Sequence, residues 1–432
     1  MATSNDLRFA GEVKVQRVEI VTTQGFGQDI TNQCRAIEIF EDLFAPFTSG
    51  TLIIDDSLDL VNLFPLRGEE YLNLKISTPT LDKSKDLKSS IINHKFYIYR
   101  ATDRVVLGDS RVTYRLHFIN VDYLTDANVK LSKPFSGSGS DIASTIVKSS
   151  SNLNSNKSIF VEESANNIKF VSNYWSPTEA INYAVSKSFN RRGLPSYVFY
   201  EDRKGYNFRT IDNLIQQPII QKFVYDRYTR TDSGLNSSIR DIDEDYKRIE
   251  TFSVPDMYDY MEASNSGMYS SKLIAHDLVT KAYTSRNFNM LQYFNPERSL
   301  NKNALVSTSN VTRSNARILV NSKHNNGFNQ YPDVTDSAFV QLRTSMMRLI
   351  ETHRIHITIP GRTDYTVGKK VHITTYKNNP RDETHNNDLI DKVYTGNYLI
   401  GAINHYIGRE RHECTMQLIK DSTMYETEGN KS

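Results

Sequence analysis

The sequence has few of the features that mark disulfide-rich, membrane-spanning or secreted proteins. Its 432 residues include only two cysteines, Cys34 and Cys414, which form neither a disulfide framework nor a CxxC metal motif. A single disulfide between them stays open, although a reducing compartment is the simpler expectation. No apolar run reaches the length of a membrane span. The N-terminal segment MATSNDLRFAGEVKV lacks an apolar core, so we expect no signal peptide.

The chain also lacks an excess of charge. Its net charge is +2, with 52 basic and 50 acidic residues. A protein that grips nucleic acid by neutralising phosphates needs a concentrated basic surface, and the sequence predicts none.

Metal and histidine motifs are missing as well. There is no HExxH motif, and His353 and His356 are three residues apart in a predicted strand, so they point to opposite faces. His356 and His372 could meet if their strands were neighbours, but without a Cys or carboxylate pattern we interpret them as surface histidines. The sequence therefore predicts no metal site and no cofactor.

Catalytic motifs are equally scarce. The stretch GRTDYTVGKK (361–370) has its glycines seven apart and predicts a β-turn rather than a phosphate-binding loop. SGSGS (136–140) is not a GxSxG elbow. Asp55–Asp56 and Glu69–Glu70 are sequential neighbours, so each pair is split between two faces of a strand. We therefore predict that the chain is not an enzyme.

Strand patterns dominate what is present. The chain contains 25 tyrosines and 20 phenylalanines, which favour strands and hydrated interfaces. Val112, Tyr114, Leu116 and Phe118 alternate with polar residues, as in a half-buried antiparallel strand. Similar patterns through the first 125 residues predict a sandwich or barrel, with strands at 14–21, 35–44, 50–56, 71–77, 95–103 and 111–124.

The pattern changes near residue 126 to that of a small α+β domain. A helix is predicted over 140–150 with Ser140 or Asp141 as N-cap. A second helix over 175–189 carries Ser176, Pro177 and Glu179, the signature of a capping box with proline in the first turn. The stretch 196–212 predicts a hairpin.

The rest of the chain predicts strands interrupted by a weakly patterned region. Residues 281–335 are polar and predict long loops with a few strands, and 337–351 has helical or mixed character. We predict six segments: a first barrel (1–125), an α+β domain (126–217), the start of a second barrel (218–280), an inserted loop-rich domain (281–349), the rest of the second barrel (350–422) and a tail (423–432). Strands are predicted at 247–254, 270–279, 353–361, 369–376, 396–408 and 411–421.

Two parts of the chain resemble each other. Gly68 and Gly368 are 300 positions apart, as are Gly108 and Gly408, and the strands VTYRLHFI (112–119) and HECTMQLI (412–419) that follow stay in phase. SGTLIIDD (49–56) also matches SSKLIAHD (270–277), at a different offset. One phase fails, because the apolar residues after Gly368 are shifted by one position. A one-residue bulge would explain the shift, and so would the absence of any repeat. These turns and strands predict that the chain contains two copies of one barrel.

These stretches resemble the central baseplate hub protein of T-even-type contractile-tailed bacteriophages. RAIEIFEDLFAPFTSGTLIIDDS with FPLRGEEYLNLKI is similar to the first barrel of that family, and the stretch 174–215 is similar to its second domain. The closing strands, from IPGRTDYTVGKKVHI to ECTMQLIKDS, resemble its last barrel and the hub part of type VI secretion spike proteins.

The resemblance implies a mainly β fold with α+β insertions: two tail-tube-like antiparallel β-barrels plus two smaller domains. It implies a homotrimeric, non-enzymatic hub in the virion tail, assembled in the host cytoplasm. Three chains with two barrels each would match a six-fold tail tube and a trimeric central spike. The implied partners are the spike, expected as a separate polypeptide, the tail tube protein, baseplate wedge proteins, the tape-measure protein, and DNA passing without specific binding.

Three alternatives stay open at this point, one of which is an unrelated two-domain β scaffold that is monomeric in solution. The other two are more specific functions. One is the hub of a type VI-like or other contractile injection system. The other is a tail-associated protein that binds or degrades glycans, which would need a carboxylate pair in a cleft.

Overall fold

A computed structural model of the chain describes residues 8–57, 59–64, 66–79, 91–107, 111–225, 242–255, 259–277, 281, 283–305, 317–323, 336–377 and 390–425. Most of the strands predicted from alternation are present, with small shifts at their ends.

The described residues from Arg8 to Asn120 include a set of antiparallel strands around one apolar core. Alternate residues of each strand are buried, as the sequence pattern predicts. The core includes Val18, Leu74, Leu116 and Phe118. We call this unit the first barrel; its elements are β1 (Lys14–Val21), β2 (Gly27–Asp29), β3 (Cys34–Asp42), β4 (Ser49–Asp56), α1 (Leu60–Leu63), β5 (Tyr71–Ser77), β6 (Ile91–Leu107) and β7 (Arg111–Asn120).

An α+β unit follows, with its own core of aromatic and aliphatic residues that includes Phe170, Tyr197 and Phe208. The predicted hairpin is formed by β11 and β12, in which Asp202 pairs with Gly205. The elements of this unit are α2 (Asp122–Asn128), β8 (Pro134–Ser138), α3 (Gly139–Lys148), β9 (Ser158–Val161), β10 (Asn167–Val171), α4 (Pro177–Lys187), β11 (Tyr197–Asp202), β12 (Gly205–Thr210) and α5 (Ile211–Ile215).

Helix capping agrees with the sequence at one of the two predicted helices. Ser176 and Glu179 form the predicted capping box at the start of α4. At α3 the N-cap is Ser138, whose hydroxyl accepts from the backbone N–H of Asp141. The prediction of Ser140 or Asp141 is therefore wrong by two or three residues, because Gly139 and Ser140 already adopt helical geometry.

The second half of the chain supplies another barrel and a smaller sheet. Its elements are β13 (Ile219–Tyr225), α6 (Ile242–Asp245), β14 (Thr251–Ser253), α7 (Tyr260–Asn265), β15 (Ser270–Asp277), β16 (Tyr283–Asn289), α8 (Met290–Tyr293), a 3-10 turn (Pro296–Arg298), β17 (Asn303–Ala304), β18 (Ile318–Lys323), α9 (Asp336–Thr352), β19 (His353–Pro360), β20 (Lys370–Thr375), β21 (Gly396–Ile407), β22 (His412–Lys420) and β23 (Ser422–Thr423).

The second barrel consists of β13, β14 and β19–β22, packed around a core that includes Ile357, Met416 and Leu418. Both barrels belong to one continuous sheet in the order β14-β19-β22-β21-β3-β4-β7-β6-β5-β1-β2, with β20 joining β21 and β13 joining β20. The β13–β20 pair is parallel, so the second barrel is not antiparallel throughout. The sequence pattern did not indicate β13 as a strand.

The resemblance between 49–56 and 270–277 does not hold in the strand pairing. β15 pairs with β16 and β18 in a separate three-stranded sheet. The place that β4 has in the first barrel belongs in the second to β19, which pairs with β22. The other domain boundaries stay a prediction.

Other expectations can be compared with the structure. His356 and His372 do not meet on neighbouring strands, because β22 and β21 lie between β19 and β20. Cys34 and Cys414 are both buried and free. Within the described ranges, no helix is both long and apolar enough to cross a membrane.

Candidate assembly interface

The two barrels of one chain are joined by strand pairing between β3 and β21. These strands are antiparallel, with Ile407 opposite Ile37 and Tyr406 opposite Glu38. The junction continues past the strand end, where the backbone N–H of Leu43 donates to the carbonyl of Gly401 at 2.8 Å. Each barrel also sends a side chain into the other: Ile407 packs in the first core and Leu43 in the second. The junction is therefore a buried interface within the chain.

A buried carboxylate lies at this junction. Glu41 accepts hydrogen bonds from the hydroxyl of Thr366 and the backbone N–H of Val367. Burial raises the pKa of Glu41 to about 7, against the lowering effect of Thr366, Arg203 and Val367. The contact connects β3 of the first barrel to the loop before β20 of the second.

The same β-bulge occurs in both barrels. In the first, the β6–β7 register shifts between Ile98 and Arg100, opposite Phe118 and His117. In the second, the β21–β22 register shifts between Ile400 and Ala402, opposite Leu418 and Gln417. The partner residues of the two bulges are 300 positions apart, which is the offset that the sequence predicted. A bulge at the same ladder position is a feature of the fold, because it fixes where the strand bends.

Strand registers also repeat on the other side of β7 and β22. Leu52 lies opposite Leu116, and Ile357 lies opposite Met416. The next strand outward repeats as well. In the first barrel β3 places Ile37 opposite Leu52, and in the second β14 places Phe252 opposite Ile357. β14 is therefore the counterpart of β3, and β21 is the counterpart of β6.

The predicted glycine turns correspond less strictly. Gly68 and Gly368 both have positive φ, +85° and +73°, in the turns before β5 and β20, where glycine adopts this conformation without strain. Gly408 lies in the β21–β22 turn, where its N–H donates to the carbonyl of Arg411 at 2.9 Å. Gly108 lies outside the described residues.

The shifted phase after Gly368 comes from a shorter turn. Leu72 pairs with Phe96 in the first barrel, and its counterpart Val371 pairs with Tyr398 in the second. Leu72 is four residues after Gly68, whereas Val371 is three after Gly368. The strands are equivalent, and the turn has lost one residue. No bulge in β20 is needed to restore the phase.

The strands equivalent to the junction strands β21 and β3 are β6 and β14, and each has an open edge. Within the described part of the chain, residues 99–107 of β6 pair only with β7, and β14 pairs only with β19. Val105, Val106 and Leu107 are exposed on β6. Val106 exposes 62% of its surface, whereas its counterpart Ile407 exposes 1%. The second barrel thus buries a surface that the first barrel leaves open.

A polar cluster that the sequence analysis missed lies beside the junction. His405, His412 and Cys414 are fully buried between β21 and β22. Burial is the largest cause that lowers the pKa of both histidines. The pKa of His412 falls to about 3, and that of His405 lies well below its ordinary value, so both rings are neutral. Burial also raises the pKa of the Cys414 thiol. The available signal was the H-x-C spacing, which puts both side chains on one face of a strand.

No protein-family model matches the chain. Among curated proteins, it is 21% identical over 421 residues to the "Probable baseplate hub protein gp334" of Vibrio phage KVP40, which covers 92% of each chain.

Solved structures show a similar fold. The tail protein from Neisseria meningitidis MC58 has a TM-score of 0.54 and 12% identity, over 94% of this chain and 96% of its own. The 43 kDa tail protein of prophage MuSo2 from Shewanella oneidensis has a TM-score of 0.51 and 9% identity, over 94% and 98%. The chain thus has the fold of phage tail proteins and is similar along nine-tenths of its length to a phage baseplate hub protein, which confirms the resemblance predicted from its sequence motifs.

Proposed function

We propose that the chain is a structural hub of a contractile phage tail baseplate, in which three copies close into a ring of six barrels. The observation that supports this most directly is the pair of open edges, β6 on the first barrel and β14 on the second. They are the counterparts of β21 and β3, which pair inside the chain.

The two open edges are complementary because each is the repeat counterpart of one strand of the β3–β21 pair. β14 has the place of β3, and residues 100–106 of β6 have the place of the β21 segment that β3 covers, with one extra residue between Thr102 and Val105. An unpaired edge with exposed valines is a template for pairing with another chain. Here the template has a defined partner, namely the β14 edge of a second copy.

The intrachain junction also predicts the register of the interchain one. Ile407 faces Ile37 within the chain. Their counterparts are Val106 and Phe252, so Val106 of one copy should face Phe252 of the next. By the same correspondence Val105 should face Ser253.

The symmetry of such an assembly follows from the interface. Pairing β6 of one copy with β14 of the next is heterologous, and it gives a ring only when the rotation closes. With two equivalent barrels per chain, closure at three copies gives six barrels with alternating intrachain and interchain junctions. Such a ring would match a six-fold tail tube on one side and a three-fold spike on the other.

The ring would act as a passive connector in the virion tail after assembly in the host cytoplasm. Its proposed partners are the central spike protein, the tail tube protein, baseplate wedge proteins and the tape-measure protein. DNA would pass through its lumen without specific binding, which agrees with a net charge of only +2. In this function the chain catalyses no reaction.

The test is to measure the mass of the purified chain by light scattering, with and without the spike protein, together with negative-stain imaging. We expect a trimeric mass and rings with six lobes in the presence of the spike. A chain that stays monomeric with its spike bound, or that forms two-fold dimers, would contradict the proposal. Incubation with peptidoglycan should release no reducing ends, and turnover lost on replacing a single carboxylate would contradict the non-enzymatic function.

A further inference from the structure

Three side chains that can ligate a metal ion lie together in the core of the second barrel, beside the inter-barrel junction. His405 Nδ1 lies 3.0 Å from His412 Nε2 and 3.2 Å from Cys414 Sγ, and Cys414 Sγ lies 3.4 Å from His412 Nε2. All three residues have no exposed surface. The three atoms form a compact triangle with one potential ligand atom from each residue.

The hairpin geometry explains why these atoms meet. His405 on β21 lies directly opposite Cys414 on β22 in the antiparallel ladder. His412 precedes Cys414 by two residues, so both side chains point to the same face of β22. Gly361 packs directly on the His412 ring, since a Cβ at this position would lie 2.4 Å from it. The backbone therefore holds the triangle in place from two strands and one loop.

Hydrogen bonding alone leaves the cluster incompletely satisfied. His412 Nδ1 is buried and has no hydrogen-bond partner among the described residues, whereas the His405 ring also interacts with the backbone of Tyr365. A half-satisfied polar network in a core is costly compared with an apolar one. In the first barrel Val112 and Tyr114 occupy the positions of His412 and Cys414.

The dimensions suit a tetrahedral metal ion. Zinc binds histidine nitrogen at about 2.0–2.1 Å and cysteine sulfur at about 2.3 Å, so its ligand atoms are separated by roughly 3.4–3.6 Å. The three edges of the triangle are within a few tenths of an ångström of this range. Two imidazoles and one thiolate are ligands that zinc and copper(I) both accept.

Charged groups of both signs lie near the cluster. Cys414 interacts with Asp364, Glu41 and Arg203. Asp364 is paired with Arg362, and both histidines interact with Arg203. The surrounding charges are therefore nearly balanced, and the three ligand atoms themselves define the site.

We propose that His405, His412 and Cys414 bind one zinc ion, which pins the β21–β22 hairpin beside the inter-barrel junction. Both histidines bind as neutral imidazoles, and the Cys414 thiol releases its proton to solvent as the Zn–S bond forms. This inference is independent of the proposed hub function, since it concerns the stability of the second barrel.

The test is the metal content of the purified full-length chain, measured by elemental mass spectrometry for zinc and copper. We expect about one zinc per chain in the wild type and less than about a tenth of that in Cys414→Ser. Cys34→Ser is the matched control, because Cys34 is also buried and free, and it should keep the metal. One copper per chain instead of zinc, or a wild type without bound metal that takes up none on dialysis against Zn²⁺, would overturn the proposal.

A second measurement keeps the test valid if Cys414→Ser folds poorly. The metal-stripped wild-type chain should regain one equivalent of Co²⁺ and show a thiolate-to-cobalt charge-transfer band. Added Zn²⁺ should raise its melting temperature by several degrees, because a ligand bound only to the native state stabilises it. Cobalt bound without a thiolate band would place the metal elsewhere and contradict the assignment.

Discussion

Val106 and Ile407 occupy equivalent positions in the two barrels, yet one is open and the other buried. Val106 exposes 62% of its surface and Ile407 exposes 1%, because β3 covers Ile407 within the chain. Val106 lies opposite Val112, two residues before Tyr114, and Ile407 lies opposite His412, two residues before Cys414. Tyr114 and Cys414 are equivalent positions in the two barrels. We propose that another copy of the chain covers the open edge.

Replacing Val106 by aspartate should therefore prevent trimer formation without unfolding the monomer. The charge would be buried at the proposed interface without a partner, which is costly, whereas in the monomer the position faces solvent. We expect the trimer fraction to fall at least tenfold at a fixed protein concentration, measured by light scattering in the presence of the spike.

The matched control is Val171→Asp. Val171 is a strand valine in the α+β unit that exposes 67% of its surface, and its replacement should leave the trimer intact. Equal loss of the trimer in both variants would show that the effect is not specific to the β6 edge.

Gly368→Ala should destabilise the second barrel by more than the conformational cost of alanine at positive φ. The residue has a φ of +73°, and an added Cβ would lie 2.6 Å from the hydroxyl of Tyr200. Positive φ alone costs an alanine about 1 kcal/mol, and the clash adds to it. The free energy of unfolding should fall by about 2–3 kcal/mol in urea titrations.

Gly25→Ala provides the comparison for Gly368→Ala. Gly25 has a φ of +88°, but nothing lies within 4 Å of an added Cβ, so only the conformational cost should appear. Combining Gly368→Ala with Tyr200→Phe should recover part of the lost stability. Equal losses at Gly25 and Gly368 would contradict the close contact with Tyr200.

Glu41 should make the chain less stable as the pH rises. Its pKa is raised by burial from an ordinary value of 4.5 to about 7 in the folded protein, so the native state holds a proton that the unfolded state releases. Stability is then fully retained below about pH 4.5 and falls as the pH increases to about 7. Glu41→Gln keeps the shape and an acceptor oxygen, so it should be free of this loss.

The measurement is the difference in unfolding free energy between wild type and Glu41→Gln at pH 5 and pH 8. The variant should gain on the wild type by an amount on the order of 2–3 kcal/mol between these values. Using the difference removes the opposite effect of the buried histidines, whose lowered pKa values destabilise the fold at acid pH. A constant difference across this range would contradict a raised pKa at Glu41.

Local patterns in the sequence predicted the elements whose signals are local. Alternating burial identified β7 and β22, and the capping box identified the start of α4. These predictions succeed because a strand with one buried face and a capped helix are determined by neighbouring residues.

Features that depend on strand pairing could not be predicted in the same way. SSKLIAHD looks like SGTLIIDD, yet β15 pairs in another sheet, and the true counterpart β19 has a different sequence. The β3–β21 junction joins strands that are more than 350 residues apart, so no local pattern reports it. The cluster around Cys414 needed the register of β21 against β22, which sets His405 opposite the cysteine.

The central claim is that β6 of one copy pairs with β14 of the next, and a cross-link in that register tests it most directly. A chain with Val105→Cys and Ser253→Cys should form intermolecular disulfides under mild oxidation, because directly opposed strand residues have the Cα separation that a disulfide needs. The native Cys34 and Cys414 are buried and free, and Val105→Cys with Tyr174→Cys is the control pair. We expect a covalent ladder that ends at the trimer in the presence of the spike, whereas cross-linking no greater than in the control pair would contradict the account.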